Sequence, residues 1–316
     1  MRTIPFHGLL LALLLAAPAS GREIFVDNMA GDDRSTGLQP HNTPEQTGPV
    51  RTLAKALRLA HQGDTIVMAD NDVPYRESVS LVGSRHSGDH RRPFTIRGNG
   101  AILDGSMPID PKVWEPYEGA VLWFRPKRMS YQQLFLDGRP AVQVVASASA
   151  IRPPKLEALQ WCSLNGKIFF CVEKTKLPSD YNLSCADEQT GITLFHVDNV
   201  TISDLTVQGF QLDGISLGNS ARNVTLSGVT CRGNGRSGVA VGGASSVEID
   251  GSSLGNNGLA QLLTLPYSRT QLHGSLLLGN TAPGWVDQGG RVSIDGKTLK
   301  GGIEQFPANT ERKPKP

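Results

Sequence analysis

Five nine-residue segments in the second half of the chain share one alternation of apolar and polar positions. They are Asn199-Val-Thr-Ile-Ser-Asp-Leu-Thr-Val, Asn223-Val-Thr-Leu-Ser-Gly-Val-Thr-Cys, Ser246-Val-Glu-Ile-Asp-Gly-Ser-Ser-Leu, Arg269-Thr-Gln-Leu-His-Gly-Ser-Leu-Leu and Arg291-Val-Ser-Ile-Asp-Gly-Lys-Thr-Leu, starting 24, 23, 23 and 22 residues apart. The fourth place is always aliphatic (Ile202, Leu226, Ile249, Leu272, Ile294), and the ninth holds Val207, Cys231, Leu254, Leu277 and Leu299. Between these columns stand turn-forming pairs such as Ser203-Asp204, Asp250-Gly251 and Asp295-Gly296. Each repeat is therefore a set of short strands joined by tight turns, with no room for a packed helix. Such a unit buries its apolar side only by stacking on the next, which predicts a parallel β-helix with coils ~4.8 Å apart. Gly214-Ile-Ser-Leu and Gly238-Val-Ala-Val supply a further strand at the same offset, and Asn234, Asn257 and Asn280 recur in successive coils as a predicted ladder of stacked amides.

Upstream, Val50, Leu53, Ala54, Leu57 and Ala60 fall at helical spacing with Gly63 as a stop signal. A short amphipathic helix there is suited to plug the open end of the first coil, which would otherwise present unpaired strand edges. Residues 106–191 break the period and contain Asn165-Gly166 between apolar runs, a strong hairpin signal, so they read as a β-rich insertion. Arg2 followed by the apolar run Leu9–Ala17 and Ala17-Pro18-Ala19 has the three parts of a secretory signal peptide. The expected organisation is a leader over 1–19, an N-terminal cap and first coils over 20–105, the insertion over 106–191, the main coils over 192–302 and a disordered tail over 303–316. The mature protein is expected to be secreted, periplasmic or at the cell surface, with no membrane anchor.

At this point the chain resembles the right-handed parallel β-helix proteins of the pectate-lyase-like superfamily. The resemblance extends to Ile24-Phe-Val-Asp-Asn, Gly48-Pro-Val-Arg-Thr-Leu-Ala-Lys-Ala-Leu, Gly63-Asp-Thr-Ile-Val and Pro93-Phe-Thr-Ile-Arg-Gly-Asn-Gly. It implies an all-β, right-handed solenoid with an N-terminal helical cap, in a secreted protein that binds or cleaves polysaccharide. A uronic-acid polysaccharide lyase is the implied enzyme, and a non-catalytic carbohydrate-binding, surface or adhesion module is the alternative. The Asn-Thr-Asp and Gly-His-Gly motifs of polygalacturonase-like enzymes are absent, as is the Asp-Pro-His-Asp of alginate epimerases.

Composition narrows the partners. Glycine supplies 35 of 316 residues without a Gly-X-Y period, which suits a turn-rich solenoid rather than collagen. Lys plus Arg minus Asp plus Glu is 31 − 29 = +2, so no broad basic field exists to hold nucleic acid. The expected partner is a polysaccharide, of acidic type by the resemblance, and the expected state a monomer. Cys162, Cys171, Cys185 and Cys231 could pair in an oxidising compartment, with Cys162–Cys171 or Cys171–Cys185 as candidate bridges. A two-residue turn at Asn165-Gly166 sets Cys162 opposite Phe169 and only diagonal to Cys171.

Candidate chemistry follows from the outward positions of the repeat. The outward residue after the aliphatic fourth place is Asp250, His273 and Asp295 in three successive coils. Carboxylates stacked beside a histidine can orient it as an acid or base, so these three are the candidate catalytic residues. Asp-Gly and His-Gly at a bend are equally ordinary turn chemistry. Glu248 shares their face, and Arg232 and Lys300 occupy the outward place after the ninth position, which makes these three the candidate substrate-binding residues. No cofactor and no metal ligand set is implied by spacing. Calcium would have only Asp27, Asp32 and Asp33, or Asp70 and Asp72, where Asx turns are the competing role. The loop Ser84-Arg-His-Ser-Gly-Asp-His-Arg-Arg-Pro concentrates two histidines and three arginines, either as a hydrated loop or as a contact for acidic sugars.

Overall fold

Three parallel sheets wind into one solenoid in the computed structural model, which describes residues 21–127 and 131–306. The first sheet stacks Glu23–Val26, Thr65–Met68, Phe94–Arg97, Asp198–Ser203, Arg222–Ser227, Ser246–Asp250, Arg269–His273 and Arg291–Ile294. The second stacks Ile102–Asp104, Thr206–Gln208, Thr230–Arg232, Ser253–Gly255 and Leu276–Leu277. The third runs from Val79–Val82 through Ile192–Phe195, Asp213–Asn219, Ser237–Val241 and Ala260–Thr264 to Trp285–Asp287. Each main coil visits the first, second and third sheets in turn, so all-β parallel β-helix architecture is what the repeat produces.

Register explains why the aliphatic column is so uniform. Ile24, Ile66, Ile96, Ile202, Leu226, Ile249, Leu272 and Ile294 lie opposite one another strand by strand, all buried. A one-residue slip in any coil would turn that coil's apolar set to solvent, so burial locks the pairing. The corner between the first and second sheets requires a left-handed residue, supplied by Asp204 (φ 50°), Gly228 (63°), Gly251 (52°) and Gly274 (51°).

The amide ladder forms with one substitution in its membership. Asn234 Nδ2 donates to Asn257 Oδ1 at 3.0 Å, and Asn257 Nδ2 donates to Gln261 Oε1 at 2.8 Å. Asn280 does not extend this buried stack. It pairs with the outward Asn256 instead, Nδ2 to Oδ1 at 2.8 Å, because the chain after Asn257 turns so that the Gln261 side chain reaches back into the ladder.

Both ends are closed. The helix Leu53–Leu59 is capped by Thr52, whose side chain accepts the Lys55 N–H at 3.1 Å, and it buries Leu53, Ala56 and Leu57 in the core that includes Ile24 and Ile66. The Glu77 carboxylate accepts the Leu53 and Ala54 N–H groups at 2.8 and 2.9 Å, fixing the helix to the segment that leads into Val79–Val82. At the other end the fifth repeat departs from its predecessors. Asp295 (φ 46°) and Gly296 (φ 80°) form a two-residue hairpin, and Lys297–Leu299 returns antiparallel along Arg291–Ile294 instead of crossing to the second sheet. Leu299 therefore leaves the ninth-place column. Residues 303–306 are not part of a disordered tail: Ile303 bridges Trp285 and Phe306 bridges Leu277. The expected leader over 1–19 and residues 307–316 of the expected tail lie outside the described residues.

His86 ties the capping helix to the solenoid. Its Nδ1 accepts the Val82 N–H at 3.0 Å and its Nε2 lies 2.9 Å from the Leu57 carbonyl, so the ring is neutral with its proton on Nε2. Burial, reinforced by Arg85, holds its pKa below the ordinary 6.5. The unfolded chain then takes up a proton at higher pH than the folded one, so this contribution to stability is present above about 6.5 and is lost as pH falls toward the folded value. His86→Gln should give a shallower fall in melting temperature between pH 7 and pH 5 than the wild type. Parallel curves would exclude His86 from the acid response.

The insertion leaves after Ile102–Asp104 and returns at Ile192–Phe195. It holds two small sheets around Trp114, Phe124, Leu134, Trp161, Phe170 and Leu183. The Asn165-Gly166 turn is present, with Leu164 opposite Lys167 and Cys162 opposite Phe169. All four cysteines are buried free thiols, so neither Cys162–Cys171 nor Cys171–Cys185 is bridged. Cys162 and Cys171 are diagonal neighbours across that hairpin, whereas Cys185 lies in the other small sheet. Burial pushes the Cys162 thiol up to about 11 and Cys185 up to about 12, far from the reactive thiolate range.

Candidate functional site

The alternation that fills the core leaves polar rows on the outside of the first sheet. One row is Asn199, Asn223, Ser246, Arg269 and Arg291, and beside it run Thr95, Thr201, Thr225, Glu248, Gln271 and Ser293. A third row holds Arg97, Ser203, Ser227, Asp250 and His273. The first two rows floor a groove of about 590 Å³, from Thr201 and Asn199 to Gln271 and Arg269, and Asp89, His90 and Pro93 form its wall. Asp89 shapes that wall by accepting the Arg91 and Arg92 N–H groups at 2.8 and 3.0 Å, and these bonds, the one to Arg91 first, lower its pKa. The floor is ordered as well. The Asp198 carboxylate accepts from the side-chain amides of Asn199 and Asn223 at 3.0 and 2.8 Å, orienting both.

The six residues singled out from the sequence fall in three places. Asp250 and His273 do stand opposite each other in adjacent strands. The ring, however, reaches Glu248, with Nε2 3.8 Å from Oε1. Only Glu248 of this set lines the groove, while Asp250, His273 and Asp295 lie beyond its edge. Asp295 is drawn out of the row by the terminal hairpin, and its carboxylate accepts the Gly274 N–H at 3.2 Å. Arg232 lies round the corner on the second sheet, where Nε donates to Gln208 Oε1 at 2.9 Å and Gln208 in turn donates to Asp104. Lys300 follows the hairpin and shares no sheet with Arg232, because the fifth repeat folds back.

The N-terminal carboxylates have turn duties. Asp27 accepts the Met29 and Ala30 N–H groups, Asp33 accepts those of Arg51 and Thr52, and Asp32 pairs with Arg34 at 2.6 Å, whose hydrogen bonds bring its pKa down to about 2. The histidine-rich loop divides its labour: His86 is a buried structural ring and His90 faces the groove.

One charged cluster escaped the sequence reading. Asp213 is only 1% exposed, and its carboxylate takes Arg236 Nε at 3.0 Å, Arg236 Nη2 at 2.6 Å and Ser237 Oγ at 2.6 Å. It opens a third-sheet strand opposite Ser237, close to where the insertion returns. The available signal was position: Asp213-Gly214 and Ser237-Gly238 are 24 residues apart, so their side chains had to stack.

Residues 184–301 match the family model described as a right-handed β-helix region. No curated protein matches the chain in sequence. Among solved structures, one titled "Glycoside hydrolase" is similar at 13% identity over 79% of this chain and 72% of its own, with a TM-score of 0.55. The complex of XylC with xylose covers 86% of this chain and 69% of its own at 12% identity and a TM-score of 0.41. Pectate lyase Pel9A covers 87% and 68% at 12% identity and a TM-score of 0.36. The likeness lies in the fold.

Proposed function

We propose that this chain, whose residues 184–301 match a right-handed β-helix family model, binds an extended polysaccharide along the outer face of its first sheet. The supporting observation is the groove, where successive coils present Asn, Thr, Ser, Glu, Gln and Arg at equivalent positions. Coils follow one another every ~4.8 Å, so a glycan lying along the axis meets similar donors and acceptors at each step. The proposal includes export from the cytoplasm and action as a monomer on acidic glycans.

The finer reading is a uronic-acid lyase. Glu248 would take the proton next to the uronate carboxylate as the glycosidic C–O bond β to it breaks and the leaving oxygen takes a proton from water. His273 Nε2 stands 3.8 Å behind the Glu248 carboxylate. The second reading, a binding module without catalysis, draws support from the position of Asp250 and Asp295 outside the groove.

Thr225 lies on the groove floor, so Thr225→Trp should fill it and weaken retention by a panel of neutral and acidic polysaccharides about tenfold. Equal retention of variant and wild type on every polymer would overturn the binding proposal. Unsaturated products that disappear in Glu248→Gln, by roughly 10²-fold or more, would establish the lyase. Retained binding with no product from any polymer would establish the module.

A further inference from the structure

The groove ends in a corner for which the fold offers no internal partner. Arg269 and Arg291 lie opposite each other in adjacent first-sheet strands, both exposed. Among the described residues neither guanidinium makes a hydrogen bond or an ion pair. Like charges on neighbouring strands repel, and among the described residues no carboxylate partner offsets the pair. Glu248, an acid on that face, is directed to His273 instead.

Tyr267 completes the corner. It is 87% exposed and sits at φ 67°, a conformation that costs a non-glycine residue free energy. Its turn is held by Ser268, whose Oγ donates to the Leu265 carbonyl at 2.7 Å. Tyr267, Ser268, Arg269, Gly290 and Arg291 surround a depression of about 350 Å³. It adjoins a second depression of about 240 Å³, which Gln271, Ser293 and Thr298 share with the two arginines. Arg269 also lines the main groove, so the three hollows share one side chain. An exposed aromatic ring offers a flat apolar face to a sugar, and two unpaired guanidinium forks offer charged donors to a planar or tetrahedral anion.

We propose that Tyr267, Arg269 and Arg291 form a subsite at the C-terminal end of the groove that takes a sugar bearing a carboxylate or a sulfate ester. The subsite rests on the polysaccharide-binding reading and adds to it the residues that read the ligand's charge and the end of the groove at which they do so. With a net charge of only +2, the chain attracts polyanions weakly as a whole, so discrimination is local to this pair.

Calorimetric titration of the full chain with an oligogalacturonate, its methyl ester and a sulfated dextran oligomer tests the subsite. The wild type should bind the carboxylate or the sulfate oligomer at least tenfold more tightly than the neutral ester, and the two acidic arms show which anion it prefers. Each arginine is expected to contribute about tenfold. The double variant Arg269→Gln/Arg291→Gln should lose that preference and melt no lower than the wild type. Tyr267→Ala should weaken all binding while keeping the preference. A double variant that retains the wild-type preference overturns the subsite, and so does a wild type that binds the ester as tightly as both acids. In either case groove binding of the ester, weakened about tenfold by Thr225→Trp, leaves the polysaccharide reading standing. Absence of binding to all three ligands overturns both.

Discussion

Replacing Asn257 with Ala should destabilise the protein by about 3–6 kcal/mol, a large part of the 5–15 kcal/mol that a folded domain usually has. Asn257 is fully buried. Its Oδ1 accepts both the backbone N–H and the side-chain amide of Asn234 at 3.0 Å, and its Nδ2 donates to the Cys231 carbonyl at 3.1 Å and to Gln261 Oε1 at 2.8 Å. Truncation strands polar groups of three neighbouring residues where no solvent reaches them, and each stranded group costs ~1–3 kcal/mol. Asn257→Asp should fare no better, since it sets an acceptor against the Cys231 carbonyl and buries a charge. Urea denaturation measures the loss. Because a solenoid coil touches only its neighbours, hydrogen exchange should quicken first around residues 231–236 and 254–262. A loss below about 1 kcal/mol would show that the ladder is not holding the coils.

Asp213→Ala should cost about 3 kcal/mol, toward the lower end of the range for breaking one side of a buried ion pair. The Arg236 side chain is 30% exposed and can turn partly to water, which limits the damage. Asp213→Asn should cost less, because an amide can still accept from Ser237 and Arg236. The comparison that isolates the pair is Asp213→Ala/Arg236→Ala, which removes the unpaired guanidinium and should recover part of the loss. Additive single-variant costs, measured in the same urea titrations, would mean that the two charges act independently.

Periodicity made the core legible. The Ile202, Leu226, Ile249 and Leu272 column could be read directly because one inward position recurs at nearly constant spacing, and stacking converts that spacing into contact. Alternation also placed Glu248, Asp250 and His273 on one outer face. What it could not convey was direction: the His273 ring leans diagonally to Glu248, and the groove edge runs between those two residues. The groove itself depends on His90 and Asp89, more than a hundred residues upstream, whose loop meets the Asn199 strand only through the fold, where the Gly88 N–H donates to the Asp198 carbonyl at 2.9 Å. Local signals were ambiguous at the solenoid end. Asp250-Gly251 and Asp295-Gly296 are the same dipeptide, yet the first turns a corner and the second makes a hairpin, because only the first has another coil to receive the chain. Asp213 was passed over for a related reason. A carboxylate before glycine looks like a turn residue until Arg236 and Ser237 of the next coil are stacked upon it.

That closing hairpin also fixes a count. A parallel solenoid with an open last coil could accept a further strand from another molecule and grow without limit, whereas Lys297–Leu299 ends the first sheet with an antiparallel strand. The number of rungs beneath the groove is thereby written into the chain rather than left to assembly. Removing or duplicating one repeat of 23 residues should shorten or lengthen the face by a single step of ~4.8 Å, with both caps undisturbed. The solenoid is in this sense a ruler whose graduations are set one coil at a time, and the Arg269–Arg291 pair stands at its final mark.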